Sequence, residues 1–235
     1  MLGLGSGISP TLTDMHDQKS LNFDGTDQYV DVDVVAAQID SDSFSISAWF
    51  KFTGAVTSGR HIFRTQVDSN NLIQLFYHAS ANNMRFVQSR GGTASLADSG
   101  SILAMETDGA WHHVVGTISN DDSEIKFYLD GALKETTLLS GTHSGTYAIA
   151  DIGQNTQGAN YWYGNLNDVA IFNSTLTAAK VAAIYNNGKS SDVGVVATPL
   201  AYYRFESTNE SNALDNGNRY NGTLNNGPTR QFDTP

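Results

Sequence analysis

Residues 44–52 of the chain read FSISAWFKF, and every second side chain in this stretch is apolar. The apolar positions are Phe44, Ile46, Ala48, Phe50 and Phe52. Because successive side chains of a β-strand point to opposite faces of a sheet, this alternation predicts a strand that turns one face toward a hydrophobic core. The stretches on either side repeat the pattern, and together they predict the fold.

These flanking segments share the period of two and are separated by short polar turns. They include LNFDGTDQYVDVDV (21–34), HIFRTQV (61–67), NLIQLFYH (71–78), NMRFVQS (83–89), AWHHVVGTIS (110–119), SEIKFYLDGALKETTL (123–138) and YWYGNLNDVAIF (161–172). No proline occurs between residues 11 and 198, so no backbone donor is missing from these strands. Strands at this spacing predict an all-β fold, a two-sheet antiparallel jelly-roll sandwich.

One short helix is predicted near residues 177–187, in the stretch STLTAAKVAAIYNNGK. Thr177 is a natural N-cap, and Gly188 a natural stop. Val181, Ile184 and Tyr185 form a single apolar stripe. Because the helix is short, packing against the sandwich must hold it in place.

The composition excludes several classes of site and partner. The chain has no cysteine, so disulfides and thiolate metal sites are absent. A net charge of −11 repels phosphate backbones and anionic lipids, which argues against nucleic acid as a partner. The sequence has no stretch of about 18 apolar residues, which argues against membrane insertion. The N-terminus has neither a basic start nor a sustained apolar run, so we expect no signal peptide.

An ordered set of motifs in residues 20–189 resembles a known family. The motifs are SLNFDGTDQYVDV, FSISAWFKF, AWHHVVGTI, IKFYLDGALK, IGQ and GNLNDVAIFNSTLTAAKVAAIYNNGK. Their order and spacing resemble the laminin-G-like, concanavalin-A-like lectin/glucanase jelly roll. The resemblance implies the sandwich fold but leaves the function open, since this jelly roll hosts lectins, glycosidases, adhesion modules and structural proteins.

The closing segment, residues 200–235, is similar to the stretch that usually precedes the LNFDG motif in this family. Here it follows the helix, after a linker at 190–199. We therefore expect it to pair back onto the jelly roll and complete the sandwich in permuted order. The alternative is the start of a second, truncated repeat, although a lone hairpin is marginally stable.

This motif order resembles versions of the domain found in tailed-bacteriophage virion proteins. The resemblance implies a non-enzymatic structural protein on the virion surface, in the capsid, collar, tail or fibre, assembled in the host cytoplasm. Residues 1–19 are predicted to form an extended arm that contacts other virion proteins, and we expect a homo-oligomer. The alternative is a carbohydrate-binding or adhesion module that recognises a host-surface or extracellular glycan.

Catalytic residues are not predicted. Retaining glucanases of this fold carry clustered acids on one strand, because the nucleophile and the acid must lie about 5 Å apart. The chain has no E-x-D-x-x-E strand; its nearest approach, NDDSEIKF, lies in a polar turn. His112 and His113 are adjacent on a strand, so they point to opposite faces and cannot share one ion.

Calcium is the one cofactor that the sequence suggests. The acidic first turn contains Asp24, Asp27, Asp31 and Asp33, and Asp168 lies on a late strand. The resemblance implies a calcium ion at the sandwich rim, for which Asp24, Asp27 and Asp168 are the candidate ligands. The alternative is that the aspartates of the turn serve local hydrogen bonds only.

Tyr161, Trp162 and Tyr163 form an aromatic cluster before Gly164. Aromatic rings on a rim would suit the C–H face of a sugar. Strand alternation instead places Tyr161 and Tyr163 on one face and Trp162 on the other, which favours packing in the core or against a subunit. The cluster is therefore a candidate for glycan or subunit contact.

Overall fold

The computed structural model describes residues 19–206 and 211–235 of the chain. Residues 1–18, which hold almost all of the predicted N-terminal arm, lie outside the described residues. The boundaries predicted at 19/20, 189/190 and 199/200 stay predictions.

The described residues form two antiparallel sheets, whose strands are numbered in chain order. The first sheet has the order β10 (Ala132–Leu138), β9 (Glu124–Leu129), β8 (His112–Ser119), β3 (Ser43–Phe52), β12 (Tyr163–Phe172), β1 (Ser20–Asp24) and β16 (Thr229–Gln231), with β13 (Ala201–Tyr203) also paired to β12. The second has the order β14 (Asn212–Ala213), β15 (Gly222–Asn225), β2 (Tyr29–Asp31), β11 (Ile149–Ile152), β4 (Arg60–Asp68), β5 (Asn71–His78), β6 (Asn83–Arg90) and β7 (Thr93–Ser101). The predicted antiparallel sandwich is confirmed.

The main core lies between the two sheets, where the alternation of residues 44–52 places its apolar face. Phe44 of the first sheet stacks on Phe63 and Phe86 of the second, with ring centroids 6.2 and 6.3 Å apart. Gly116 is required there, because a Cβ at that position would lie 2.3 Å from the ring of Phe86. The two sheets therefore approach as closely as the aromatic rings allow.

Helical segments are short: α1 (Asp33–Ala36), α2 (Ala178–Tyr185), α3 (Val193–Val196) and 3₁₀ turns at Ala79–Ala81 and Leu103–Glu106. Thr177 caps α2 as predicted, since its hydroxyl oxygen accepts the amide of Lys180. The helix ends at Tyr185, two residues before the predicted end at 187, because Asn186 adopts φ +46° and Asn tolerates the left-handed region. No helix among the described residues approaches the length needed to cross a membrane.

A second apolar cluster lies on the outer face of the first sheet, away from the main core. Phe172 and Tyr202 of the sheet pack there with Val181 and Ile184 of α2 and Val193 of α3. The residues predicted as a plain linker thus contain α3, whose N-cap Asp192 accepts the amide of Gly194. The two helices cover this face of the sheet.

The C-terminal residues contribute strands to both sheets. The strands β13 and β16 join the first sheet, and β14 and β15 join the second. The register pairs Thr223 of β15 with Asp31 of β2, and Gln231 of β16 with Ser20 of β1. The end of the chain therefore pairs with the first two strands, as expected for a segment that completes the sandwich.

Candidate functional site

The outer face of the second sheet carries polar and aromatic side chains that stay partly accessible. Strand register places a row of directly opposed residues across it, since opposed residues in a sheet point to the same side. In order across the sheet the row reads Thr223, Asp31, Asp151, Arg64, Gln74, Val87 and Leu96. We call this row the outer ladder. Its centre is charged, whereas the opposite faces of the same strands carry the core residues Val30, Ile152 and Leu75.

Arg64 occupies the middle of the outer ladder and is held by two glutamines. Its Nε and Nη2 donate to Gln66 Oε1 at 3.2 and 2.8 Å, and its Nη1 donates to Gln74 Oε1 at 3.2 Å. Burial lowers the pKa of the guanidinium from its ordinary value, although it stays charged at neutral pH. The two amides therefore hold the cation in one orientation on this face.

Three carboxylates converge at one end of the ladder: Asp31 of β2, Asp33 of α1 and Asp151 of β11. Carboxylate oxygens of all three lie within 4.8 Å of one another. The strand predicted to continue to residue 34 ends at Asp31, and the chain turns into α1 at Asp33. Asp31 accepts the amide of Asp33 at 2.9 Å, and Asp33 accepts the amide of Ala150 at 2.7 Å. This turn brings the third carboxylate to the other two.

Asp151 is the buried member of the trio, at 4% exposure. Burial, together with the charges of Asp33 and Asp31, raises the pKa of Asp151 to about 7. The side chain of Gln154 hydrogen-bonds to this carboxyl and lowers the pKa in part. The trio therefore holds negative charge that its described surroundings do not fully compensate.

Aromatic rings flank the carboxylates and Arg64. Tyr29 and Tyr161 are both partly exposed, and their ring centroids lie 6.5 Å apart. Phe76, also partly exposed, stacks on the buried ring of His61 at 4.9 Å and 11° between planes. The face thus offers flat apolar surfaces beside hydrogen-bonding groups.

Arg60 fastens the loop that carries Tyr161. Its Nη1 donates to the carbonyl oxygens of Tyr161 and Gly25, both at 2.8 Å. Burial lowers the pKa of Arg60 by more than the nearby Tyr163 raises it. The guanidinium also lies over the ring of Tyr163, 5.9 Å from its centroid. Tyr161 is therefore held beside Tyr29 by a contact to its backbone, which leaves its side chain available.

The structure separates the predicted aromatic cluster. Trp162 is fully buried in the main core, where its ring packs against Phe50 and Phe52 at 5.8 and 5.1 Å. Tyr161 lies beside Tyr29 on the outer ladder side, while Tyr163 begins β12 of the first sheet. Of the three candidates for glycan contact, Tyr161 alone lies beside the outer ladder, next to Tyr29.

The structure also does not bring the three predicted calcium ligands together. Asp24 is exposed and accepts the amide of Thr26, and Asp27 is an exposed residue of the same turn. Asp168 is buried on β12, where the hydroxyls of Ser190 and Tyr202 donate to it, the latter at 2.5 Å. Asp24 opposes Tyr163, so Asp168 lies five strand residues away, about 16 Å at ~3.3 Å per residue. Asp24 is therefore engaged in its own turn, while Asp168 is buried farther along β12 of the same sheet.

The two adjacent histidines diverge as strand alternation predicts. His112 contacts Asp130 and Asp108 at 2.9 and 3.1 Å. His113 is buried on the other face, 2.8 Å from the hydroxyl of Ser47, and burial lowers its pKa to about 3. Neither belongs to the outer ladder.

The carboxylate trio is the part of the site that sequence reasoning did not assemble. Asp31 and Asp33 stood out in the acidic first turn, but Asp151 lies in YAIADIGQ, far away in the sequence. Only the pairing of β2 with β11 brings it to Asp31. The trio could supply three of the six to eight oxygens that calcium requires, or accept hydrogen bonds from a polyhydroxylated ligand.

A family comparison fits this architecture. The family described as the Concanavalin A-like lectin/glucanases superfamily matches residues 24–182, more than half of the chain. The chain belongs to this superfamily. Among curated proteins no sequence match was found.

Solved structures share the fold at low sequence identity. A protein from Bacteroides ovatus, which is named as a predicted carbohydrate-binding protein, has TM-score 0.65 and 15% identity, over 92% of this chain and 60% of that one. The CBM40 of the Ruminococcus gnavus IT-sialidase, bound to α2,3 sialyllactose, has TM-score 0.57 and 12% identity, over 71% and 97%. Domain 4 of AbnA, a GH43 extracellular arabinanase from Geobacillus stearothermophilus in complex with arabinotriose, has TM-score 0.55 and 19% identity, over 71% and 76%. The lectin-like β-sandwich is thus a shared architecture.

Proposed function

We propose that this protein binds carbohydrate through the outer ladder and the tyrosines beside it. The observation that carries the proposal is the combination, on one partly exposed face, of the Tyr29–Tyr161 pair with the Asp31, Asp33 and Asp151 carboxylates. Aromatic rings pack on the C–H face of a sugar, while carboxylates and amides bond its hydroxyls. Structural relatives that hold sialyllactose and arabinotriose on the same fold support the choice of ligand.

The proposal is tested with the full chain on a glycan array, followed by calorimetry on the strongest hit. Tyr161→Ala should weaken binding about tenfold or more, because it removes one ring of the pair. Phe232→Ala is the matched control, since Phe232 is an aromatic residue 84% exposed beyond β16 of the other sheet, and its loss should leave affinity unchanged. Absence of binding to every glycan would reject carbohydrate recognition.

We propose binding without turnover. The trio has a spacing close to that of a retaining acid pair, so the assay must measure hydrolysis directly. One oxygen of Asp31 and one of Asp33 already accept backbone amides, which favours a role in holding the loop and the ligand. Incubation with each bound glycan should release no new reducing ends; release that disappears in Asp151→Asn would establish a hydrolase.

We further propose that the domain works as a structural protein on the surface of a tailed-phage virion. The support is the motif order, in which the segment that usually opens the domain follows the helix, together with the phage-like resemblance of that order. In this proposal the N-terminal arm predicted at residues 1–19 contacts other virion proteins, and the domain forms a symmetric oligomer that displays its sugar-binding face. Mass spectrometry of purified virions should detect the chain at structural stoichiometry, and its absence there would end the proposal.

A further inference from the structure

Hydrogen-bond acceptors dominate the centre of the proposed binding face. Three carboxylates lie together, and the buried one, Asp151, has the amide of Gln154 against it. Gln154 is 5% exposed, and its Oε1 has no hydrogen-bond partner among the described residues. Because carboxylate and amide oxygens accept hydrogen bonds and cannot donate them, a ligand that brings donors is favoured at this place.

Arg64, the cation of the outer ladder, is already engaged. Each of the three nitrogens of Arg64 donates to Gln66 or Gln74. Arg60 donates to two backbone carbonyls from Nη1. A bidentate fork for an incoming carboxylate requires a guanidinium whose parallel N–H groups are free, and every nitrogen of Arg64 already donates to a glutamine. The Nε of Arg60 is buried, so it presents no such fork at the surface.

We infer that this face selects neutral, polyhydroxylated sugars and discriminates against glycans that carry a carboxylate or sulfate. The inference rests on the proposed carbohydrate binding and names the class of ligand. Neighbouring hydroxyls of a neutral sugar donate to the oxygens of Asp31, Asp33 and Asp151, while its ring packs beside Tyr161. An acidic sugar in the same position places a second anion within a few ångströms of the trio, and like charges at an interface are strongly unfavourable.

Matched pairs of glycans test this inference on the unmodified chain. Each neutral oligosaccharide bound on the array is compared with its counterpart that differs only by an added sialic acid, uronic acid or sulfate. Lactose with α2,3-sialyllactose is one such pair. We expect the acidic member to bind at least about tenfold more weakly at low ionic strength, and the gap to narrow as salt screens the repulsion.

A charge-neutralising variant shows which residues discriminate. Asp31→Asn combined with Asp151→Asn should reduce the gap between neutral and acidic members, because both amides keep hydrogen-bonding capacity without charge. Asp121→Asn is the control: it removes one exposed carboxylate from the β8–β9 turn of the other sheet and should leave the gap unchanged. If the double variant does not fold, the salt dependence measured on the unmodified chain still decides.

The outcomes separate this inference from the proposed function. Equal or tighter binding of the acidic members overturns the selectivity while carbohydrate binding stands. Tight binding of acidic members only with added calcium, reversed by EDTA, also overturns it and assigns the trio to a cation. No binding to any glycan rejects both proposals together. The expected result is that the neutral members bind and the acidic members bind more weakly, both with and without EDTA.

Discussion

The outer faces of the two sheets differ although both belong to the same sandwich. On the first sheet, Phe172 and Tyr202 are buried beneath α2 and α3, and the carboxylate of Asp168 is enclosed by hydroxyl donors. On the second, Phe76 and Arg64 stay partly exposed, and three carboxylates meet without a cation among the described groups that hydrogen-bond to them. The same alternation therefore generates one face that stabilises the fold and another that offers groups to a ligand.

The physical reason for the difference lies in what each face must satisfy. A covered face is dry, so its polar groups need partners inside the protein, as Asp168 has in Ser190 and Tyr202. An accessible face can leave acceptors to water or to a ligand, at the cost of uncompensated repulsion. Stability should therefore respond to mutations on the first face, and ligand affinity to mutations on the second.

The largest expected effect is on the covered face. Phe172→Ala removes a fully buried ring from beneath the helices and should lower the free energy of unfolding by about 3–5 kcal/mol. Phe76→Ala, the matched truncation on the accessible face, should cost no more than about 1.5 kcal/mol, because its ring is only half-buried. Urea unfolding followed by circular dichroism measures both. Equal losses would show that the second face is as essential to the fold as the first.

The sequence predicts the fold well because alternation, turns and caps are local signals. The strand at Ser43–Phe52 and the N-cap at Thr177 follow directly from it. The site is harder to predict, because it depends on which strands become neighbours. Asp151 reaches Asp31 only through the pairing of β11 with β2, and neither segment indicates the other. Trp162 shows the converse: strand alternation separates it from its two tyrosine neighbours and favours packing in the core or against a subunit, and it is buried in the core.

The second expected effect is a pH dependence of stability that arises from Asp151. The pKa of Asp151 is raised to about 7 in the folded chain, against 3.8 for an ordinary Asp, so the folded state holds the proton more tightly. Stability contributed by the protonated group is therefore lost as pH rises from about 4 to about 7. Asp151→Asn keeps the neutral form at every pH, and its stability advantage should grow by about 2–3 kcal/mol between pH 5 and pH 8.

Thermal unfolding of both chains across this range measures the effect. Asp121→Asn, an exposed carboxylate of the other sheet, should show no such growth. An advantage of Asp151→Asn that is constant with pH would mean that the trio carries no uncompensated charge. That result would also remove the electrostatic basis for selecting neutral sugars.

The smallest expected effect concerns the helix that covers the first face. Lys180 is exposed in the first turn of α2, three residues after the Thr177 cap, and no acidic residue occupies that turn. A cation there opposes the helix dipole, whereas Lys180→Glu would complete a capping box. The substitution should raise the free energy of unfolding by about 0.3–1 kcal/mol at neutral pH and low salt, and the gain should vanish when the new carboxyl is protonated.

Lys180→Gln separates removal of the cation from addition of the anion. Because α2 lies on the opposite side of the sandwich from the outer ladder, neither variant should change glycan affinity. A change in affinity would show that the two faces are coupled through the core.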